Sequence, residues 1–376
     1  MCDDIELHHS GEAIAYANAC EQGTTFIRHA LNSQDRCWQK GQLISQEQLV
    51  DRTVQLLRNA QSPGILGLSL VTVEDIAASV RLAELLNAWL CTWPADPIRF
   101  WGHDAPDLAL SRAETEQAAN LILFIGFEKG VDAVQPRFRE RHFSKGPGKN
   151  RTQLEVLWTP QERMKNILHL RLHDEKGELL PAHLKSLSAA ATKAQCIQIY
   201  FLAQLALDDV PYVAQWQQWA AHQRAHRRVG ISLLGSTGKA RTVTEALTWL
   251  TGFPGPLRFS NNQAQYLPHM GEAEKLILQH ALDVILWIGV DPNLFWKSMK
   301  QKHPHFDRSR FKEIVISQSP DFQQAEFAME VPLLSPVYDA HIVRGDGVML
   351  RLVGQAKGQP SPTAALLETI SRKVQL

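Results

Sequence analysis

The chain has 376 residues, with 39 Lys and Arg against 39 Asp and Glu and 44% hydrophobic residues. That length suits two or three domains, because one core stops growing at roughly 250 to 300 residues. The balanced charge offers no field to nucleic acid or an anionic membrane, and the N-terminal "DDIE" and "HHS" stand where a signal peptide needs basic and then apolar residues, so the reading is a cytoplasmic protein.

After a short alternating start, "EQLVDRTVQLLRNA" (47–60) spaces its apolar residues as a helix does. "GILGLSL" (64–70) follows as a continuous apolar run. "TVEDIAASVRLAELLNAWL" (72–90) then opens with Thr72 and Asp75 in capping-box positions and sets Ile76, Val80, Ala83 and Leu86 on one face. A continuously apolar strand between helices predicts a parallel sheet covered on both faces. "NLILFIGFEKG" (120–130) and "DVILWIGVDPN" (283–293) share a polar start, five apolar residues, a glycine and an acid two residues on. They read as equivalent strands of two doubly wound units, with Gly126 and Gly289 at strand ends where open parallel sheets place a ligand crevice. Further strands are predicted in 166–172, 194–204, 229–235, 312–320, 326–334 and 347–354. The longest apolar stretches are too short or too interrupted to span a bilayer. "GQAKGQPSP" reads as a linker to a final helix with Ser361 as N-cap, Pro362 at the first position, and Leu366, Leu367, Ile370 and Val374 on its apolar face.

Most short motifs carry little chemistry. "GSTGKART" (235–242) lacks the P-loop spacing, which leaves Lys239 in a glycine-rich turn able to hold an anion through backbone N–H groups. His222 and His226 in "AHQRAHRR" have the four-residue spacing of a helical zinc pair, but Gln223 stands where the catalytic Glu would be, and three arginines crowd the stretch; it reads as a solvated basic face. His8, His9, His303 and His305 read as surface residues. The run "QPRFRERHFSKGPGKNR" (135–151) concentrates Arg137, Arg139, Arg141, Lys145, Lys149 and Arg151 after a glycine-ended strand. It is either a recognition loop for phosphate or carboxylate or a solvated, subunit-facing loop. The five cysteines, Cys2, Cys20, Cys37, Cys91 and Cys196, contain no C-x-x-C pair and build neither a disulfide framework nor a closed zinc site. Ten tryptophans, some in polar contexts such as "QWQQWAAH" and "LFWKSMK", suit either core packing or an obligate interface.

In order along the chain, "CDDIEL" with "NACEQG" (18–23), "PRFRERHF" (136–143), "TGFPGPLRFSNNQAQYLP" (251–268), "IGVDP" (288–292) and "VRGDGVMLRL" (343–352) resemble the B-type subunit family of formylmethanofuran dehydrogenase. This family lies within the molybdopterin oxidoreductase superfamily. The resemblance implies two interwoven, doubly wound parallel-sheet units of the formate-dehydrogenase type. Its domains would be a remnant of the N-terminal cluster segment (1–45), a first α/β domain (46–114 and 261–355), an inserted second one (115–260), and a linker with C-terminal helix (356–376). Cys2 would be the last cysteine of a truncated iron–sulfur segment, and with Cys20 it cannot supply the four thiolates of a cluster. The metal-binding cysteine of the redox members should fall near "DPIRFWGHDAP" (96–106), where none stands; Cys91, the nearest, ends a predicted helix.

These departures point to the branch represented by the redox-silent B-type member of the bacterial formyltransferase/hydrolase complex. What that resemblance implies is a noncatalytic structural subunit in tetrahydromethanopterin- and methanofuran-linked oxidation of formaldehyde to formate, working alongside a zinc amidohydrolase-like subunit. No cofactor is expected, the molybdenum or tungsten pterin and the iron–sulfur cluster both being lost. The crevice candidates are Gly126, Arg137, Arg141, Lys239, Gly289, Arg344 and Asp346. Two rival readings stand: an active pterin-dependent dehydrogenase with its cofactor in the crevice marked by Gly126, Gly289, Arg137 and Arg344, and a subunit that holds the anionic tail of a methanofuran-type carrier with the basic loop and "RGD" (344–346).

Overall fold

The computed structural model describes residues 6–10, 13–17, 28, 35–93, 110–127, 152–158, 189–202, 210–234, 240–268, 270–318, 325–333, 338–343, 347–353 and 359–376. Its strands, in chain order, are β1 (Glu6–Ser10), β2 (Ala13–Ala17), β3 (Cys37–Gln39), β4 (Gln42–Ile44), β5 (Pro63–Gly67), β6 (Trp89–Thr92), β7 (Leu121–Phe127), β8 (Thr152–Trp158), β9 (Cys196–Leu202), β10 (Arg228–Leu234), β11 (Leu257–Ser260), β12 (Gln263–Tyr266), β13 (Val284–Ile288), β14 (Lys312–Ser317), β15 (Phe327–Glu330), β16 (Ala340–Val343) and β17 (Met349–Leu352). The helices are α1 (Gln46–Arg58), α2 (Val73–Leu86), α3 (Arg112–Ala118), α4 (Val210–Arg224), α5 (Ala240–Thr251), α6 (Ala273–Leu278), α7 (Pro292–Lys302) and α8 (Pro362–Gln375).

The fold is α/β, and the chain forms two compact units. The first, 1–96 with 239–343 and 349–376, carries a nine-stranded sheet in the order β12-β11-β6-β5-β13-β14-β15-β3-β4. Its five central strands, β6-β5-β13-β14-β15, run parallel, while the hairpins β11–β12 and β3–β4 add antiparallel edges. The sheet is therefore mixed, not wholly parallel as the sequence predicts. The difference lies in short turns that periodicity does not flag. Asn261 and Asn262 both have positive φ, as do Lys40 and Gly41, and such pairs close two-residue hairpins whose twist matches the strands.

The continuous apolar strands mean what the sequence predicts. In β13, Val284, Leu286 and Ile288 enter one core with residues of α1, α2, α5 and α8, while Ile285 and Trp287 enter the opposite one with residues of α6 and α7. Both faces are covered, so neither parity can be polar. The helices start where their caps say. Ser45 with Gln48 and Thr72 with Asp75 form reciprocal capping boxes at α1 and α2, and Ser361 and Pro362 open α8. Helix α8 buries Leu366, Leu367 and Ile370 in the first core, as its spacing predicts.

The second unit, 97–238 with 344–348, holds a parallel sheet ordered β10-β9-β7-β8. One polar residue inside it is satisfied in place: Gln198 accepts from Thr115 at 3.3 Å and donates to Ile199 O at 3.0 Å and Ser232 Oγ at 3.2 Å. In this sheet β7 is the first strand, flanked by β8 on one side and β9 on the other. In the larger sheet β13 lies between β5 and β14, so both glycine-ended strands of the sequence are interior to a parallel run.

Residues 239–260 fall in the first unit, because the division drawn at 260/261 on sequence grounds cuts through the β11–β12 turn, and β11 pairs with β6. Cys91 does not end a helix; it lies buried on β6, after α2 has closed at left-handed Asn87. His222 and His226 do not share a helix face, since α4 ends at Arg224. The strand predicted at 166–172 lies outside the described residues.

Candidate functional site

In the larger sheet the chain passes from β5 to β6 on one side and later returns to β13 on the other. The carboxyl ends of β5 and β13, Gly67 opposite Ile288, therefore flank the point where strand order reverses, the place open α/β sheets use for ligands. Here the chain turns at once, with positive φ at Gly67, Leu68 and Gly289. Leu68 N–H donates to Ile288 O at 2.7 Å, Trp93 N–H to Gly67 O at 2.9 Å and Gly289 N–H to Ile316 O at 2.9 Å, while Ser69 Oγ donates to Gly289 O at 3.4 Å.

The glycines serve close approach, and what approaches is the chain itself. A methyl group at Gly67 would come within 2.7 Å of both Ile288 O and Val290 Cγ2. One at Gly289 would stand 2.8 Å from Val71 Cγ1 and 3.2 Å from Leu70 N. Leu68 and Val71 are completely buried and Val290 nearly so. The two strand ends thus seal against each other through apolar side chains.

The helix N-termini that begin beside this edge meet carboxylates of the chain. At α2, Asp75 accepts from Thr72 N–H at 2.9 Å and from the Ser361 hydroxyl at 2.5 Å. Burial pushes the Asp75 carboxyl above its ordinary range, and the donated hydrogen bonds of Ser361 and Thr72 oppose that rise. At α7, Asp291 Oδ1 accepts from Asn293 N–H at 2.9 Å, ahead of Pro292 at the first helical position. A pyrophosphate or pterin phosphate uses free backbone N–H groups at such ends. At each start one helix N–H is taken by the chain's own side chain, Asp75 N–H by Thr72 Oγ1 and Asn293 N–H by Asp291 Oδ1.

On the opposite face of the sheet, Glu313 is a buried carboxylate held among aromatic side chains. Glu313 accepts from the indole N–H groups of Trp287 at 3.0 Å and Trp296 at 2.9 Å, and from Arg308 at 2.6 Å and 3.2 Å. Arg308 also donates to Asn293 at 3.2 Å and lies over the Trp296 ring. Both oxygens of this carboxylate find donors, which is the condition for a buried ion pair to persist. Its role is to hold α7 against β13 and β14.

Of the residues singled out in the sequence, Gly126 is the penultimate residue of β7 in the second unit and Gly289 follows β13 in the first. Arg137, Arg141, Lys239, Arg344, Asp346, Cys2 and Cys20 lie outside the described residues. Cys37, Cys91 and Cys196 are buried thiols. Burial, aided by the charge of Asp35, pushes Cys37 up to about 11, and burial raises Cys196 against the pull of Arg228. Trp216 and Trp296 are core residues. No group of three or more His, Cys, Asp or Glu able to hold a metal occurs among the described residues, and no helix among them is long and apolar enough to cross a membrane. The turn Gly67–Ser69 is the feature that sequence reasoning missed, although "ILG" in β5 repeats the strand-then-glycine pattern of Gly126 and Gly289.

The architecture matches a solved assembly. Over 90% of this chain and 98% of the other, at a TM-score of 0.71 and 17% sequence identity, it superposes on a chain of the X-ray crystal structure of the formyltransferase/hydrolase complex from Methylorubrum extorquens in complex with methylofuran. The two chains share a fold. At this identity the likeness speaks for architecture alone. No family model matches the chain, and no curated protein matches it in sequence.

Proposed function

We propose that this chain is a noncatalytic structural subunit of a formyltransferase/hydrolase complex, acting in the cytoplasm in methanofuran- and tetrahydromethanopterin-linked oxidation of one-carbon units. The observation that carries this reading is a fold shared along nearly the whole of both chains with a chain of that complex. The packing at Gly67 and Gly289 supports the structural part of the reading, because side chains of the chain itself fill the space beside both glycines. In this proposal the units descend from the doubly wound, formate-dehydrogenase-like pattern, the molybdenum or tungsten pterin and the iron–sulfur cluster are lost, and hydrolysis belongs to a zinc amidohydrolase-like partner.

A second reading draws on the methylofuran in the neighbour's crystal: the basic loop with Arg137 and Arg141, and the "RGD" stretch (344–346), would hold the anionic tail of such a carrier. It predicts that tail-truncated carrier loses affinity only while Arg137 or Arg141 is present.

The test is to tag the chain at its C-terminus in its native host, isolate it gently, and determine the accompanying subunits and metals by mass and elemental analysis. Recovery with a zinc hydrolase-like chain and without molybdenum or tungsten is the expected result. Recovery with molybdenum or tungsten and iron overturns the proposal in favour of a dehydrogenase.

A further inference from the structure

One edge of the larger sheet is unlike the rest of the chain in charge. Charged residues make up 21% of the sequence, yet from Ala246 to Met270 the only Asp, Glu, Lys or Arg is Arg258. That guanidinium is turned inward over the Trp89 ring at 5.2 Å, with Nη1 donating to Ser62 Oγ at 3.5 Å. In the same stretch Trp249, Leu250, Phe253 and Met270 are 52%, 47%, 36% and 57% exposed. Phe253 joins this stretch to the sheet edge, stacking on Tyr266 of β12 with ring centroids 5.7 Å apart, and Gly271 N–H donates to Leu267 O at 2.9 Å just beyond it.

Strand β12 is the outermost strand of the sheet among the described residues. Its register on β11 pairs Ser260 with Gln263 and Arg258 with Gln265, and Phe259 N–H turns away to Ala88 O at 3.0 Å. Antiparallel alternation then directs the backbone N–H and C=O of Ala264, opposite Phe259, away from β11. Natural edges are usually guarded by lysine, proline or a bulge. Along β12 the exposed side chains are the neutral amides of Gln263 and Gln265.

We infer that this edge is a subunit-docking face, on which an uncharged extended segment of a different polypeptide adds as a further strand beside β12 while its apolar side chains cover Trp249, Leu250, Phe253 and Met270. Charge decides the partner's class. Within 246–270 nucleic acid or an anionic lipid finds no Lys or Arg but the half-buried Arg258, and a charged peptide no other counter-charge, whereas depleted charge with Trp, Phe and Met is the composition of an interface core. Main-chain hydrogen bonds give such an addition its affinity, and the flanking apolar patch gives it register. The partner's identity as another subunit rests on the proposed function; the position of the face does not.

The test compares tagged wild-type chain with Trp249→Glu, Gln265→Lys and, as control, Leu294→Lys, which is 61% exposed on α7. Each is isolated from the native host, and assembly is read by native mass spectrometry. Trp249→Glu and Gln265→Lys are each expected to lower the recovered partner by at least about tenfold while the chain melts as wild type does, and Leu294→Lys to recover it in full. Hydrogen exchange on the wild-type assembly supplies a reading free of any folding defect: amides of 249–253 and 263–266 should be protected in the assembly relative to the isolated chain. Partners retained by both variants, or no such protection, overturn the face. A wild-type self-dimer that the variants dissociate overturns the different-subunit partner, and a wild-type chain recovered alone overturns the proposed function together with it.

Discussion

Asp75 shows how one residue can serve several elements at a cost. It closes the capping box of α2 and receives the hydroxyl of Ser361 at the start of α8, so a single buried carboxylate ties two helix N-termini together. Its desolvation raises its pKa, so the folded chain binds this proton more tightly than the unfolded chain does. The stability this group contributes is therefore complete below the unfolded value of about 3.9 and is lost as pH rises through the folded value. Asp75→Asn removes that titration. The stability difference, variant minus wild type, is expected to increase with pH across this window, measured by urea unfolding at stepped pH; a difference constant with pH would contradict the desolvated carboxylate. The capping role of Asp75 is legible in "TVED", but its bond to Ser361 is not, because 286 residues separate the partners.

Elements here are set by local signals and joined by turns. Capping boxes, a proline at the first helical position and continuous apolar runs place α1, α2, α8, β5, β13 and β14 close to where the periodicity puts them. The turns decide more than the periodicity does. "SNNQ" makes β11–β12 a hairpin and moves 239–260 from the inserted unit into the first. At the strand-end turns, Gly67→Ala and Gly289→Ala should each destabilise by at least ~1–2 kcal/mol, the ordinary cost of a left-handed L-residue. Gly67→Ala should cost more, because its methyl meets a backbone oxygen at 2.7 Å, whereas the nearest backbone atom to a methyl at Gly289 is Leu70 N at 3.2 Å. Denaturant midpoints of the two variants check the order; a neutral Gly67→Ala would mean the strand ends do not seal.

At the scale of the molecule, zero formal charge, a sequence pI near 7.3 and an exposed apolar edge describe a chain with little to keep its copies apart. Purified alone, it should show a solubility minimum within about one pH unit of that pI, measured by precipitant titration across pH. The minimum should weaken when the native assembly is titrated instead. The class of architecture and the order of its landmarks can be read from the residues alone, because helix caps, buried strands and glycine ends are written in near neighbours. Which strands lie side by side, and hence what each glycine is for, emerges only from the folded chain. Gly289 reads as ligand space until β5 is laid beside β13 and Val71 is found in that space. The cause is range: caps and periodicity act over a few residues, whereas the sealing of an edge depends on side chains brought together from more than two hundred residues apart.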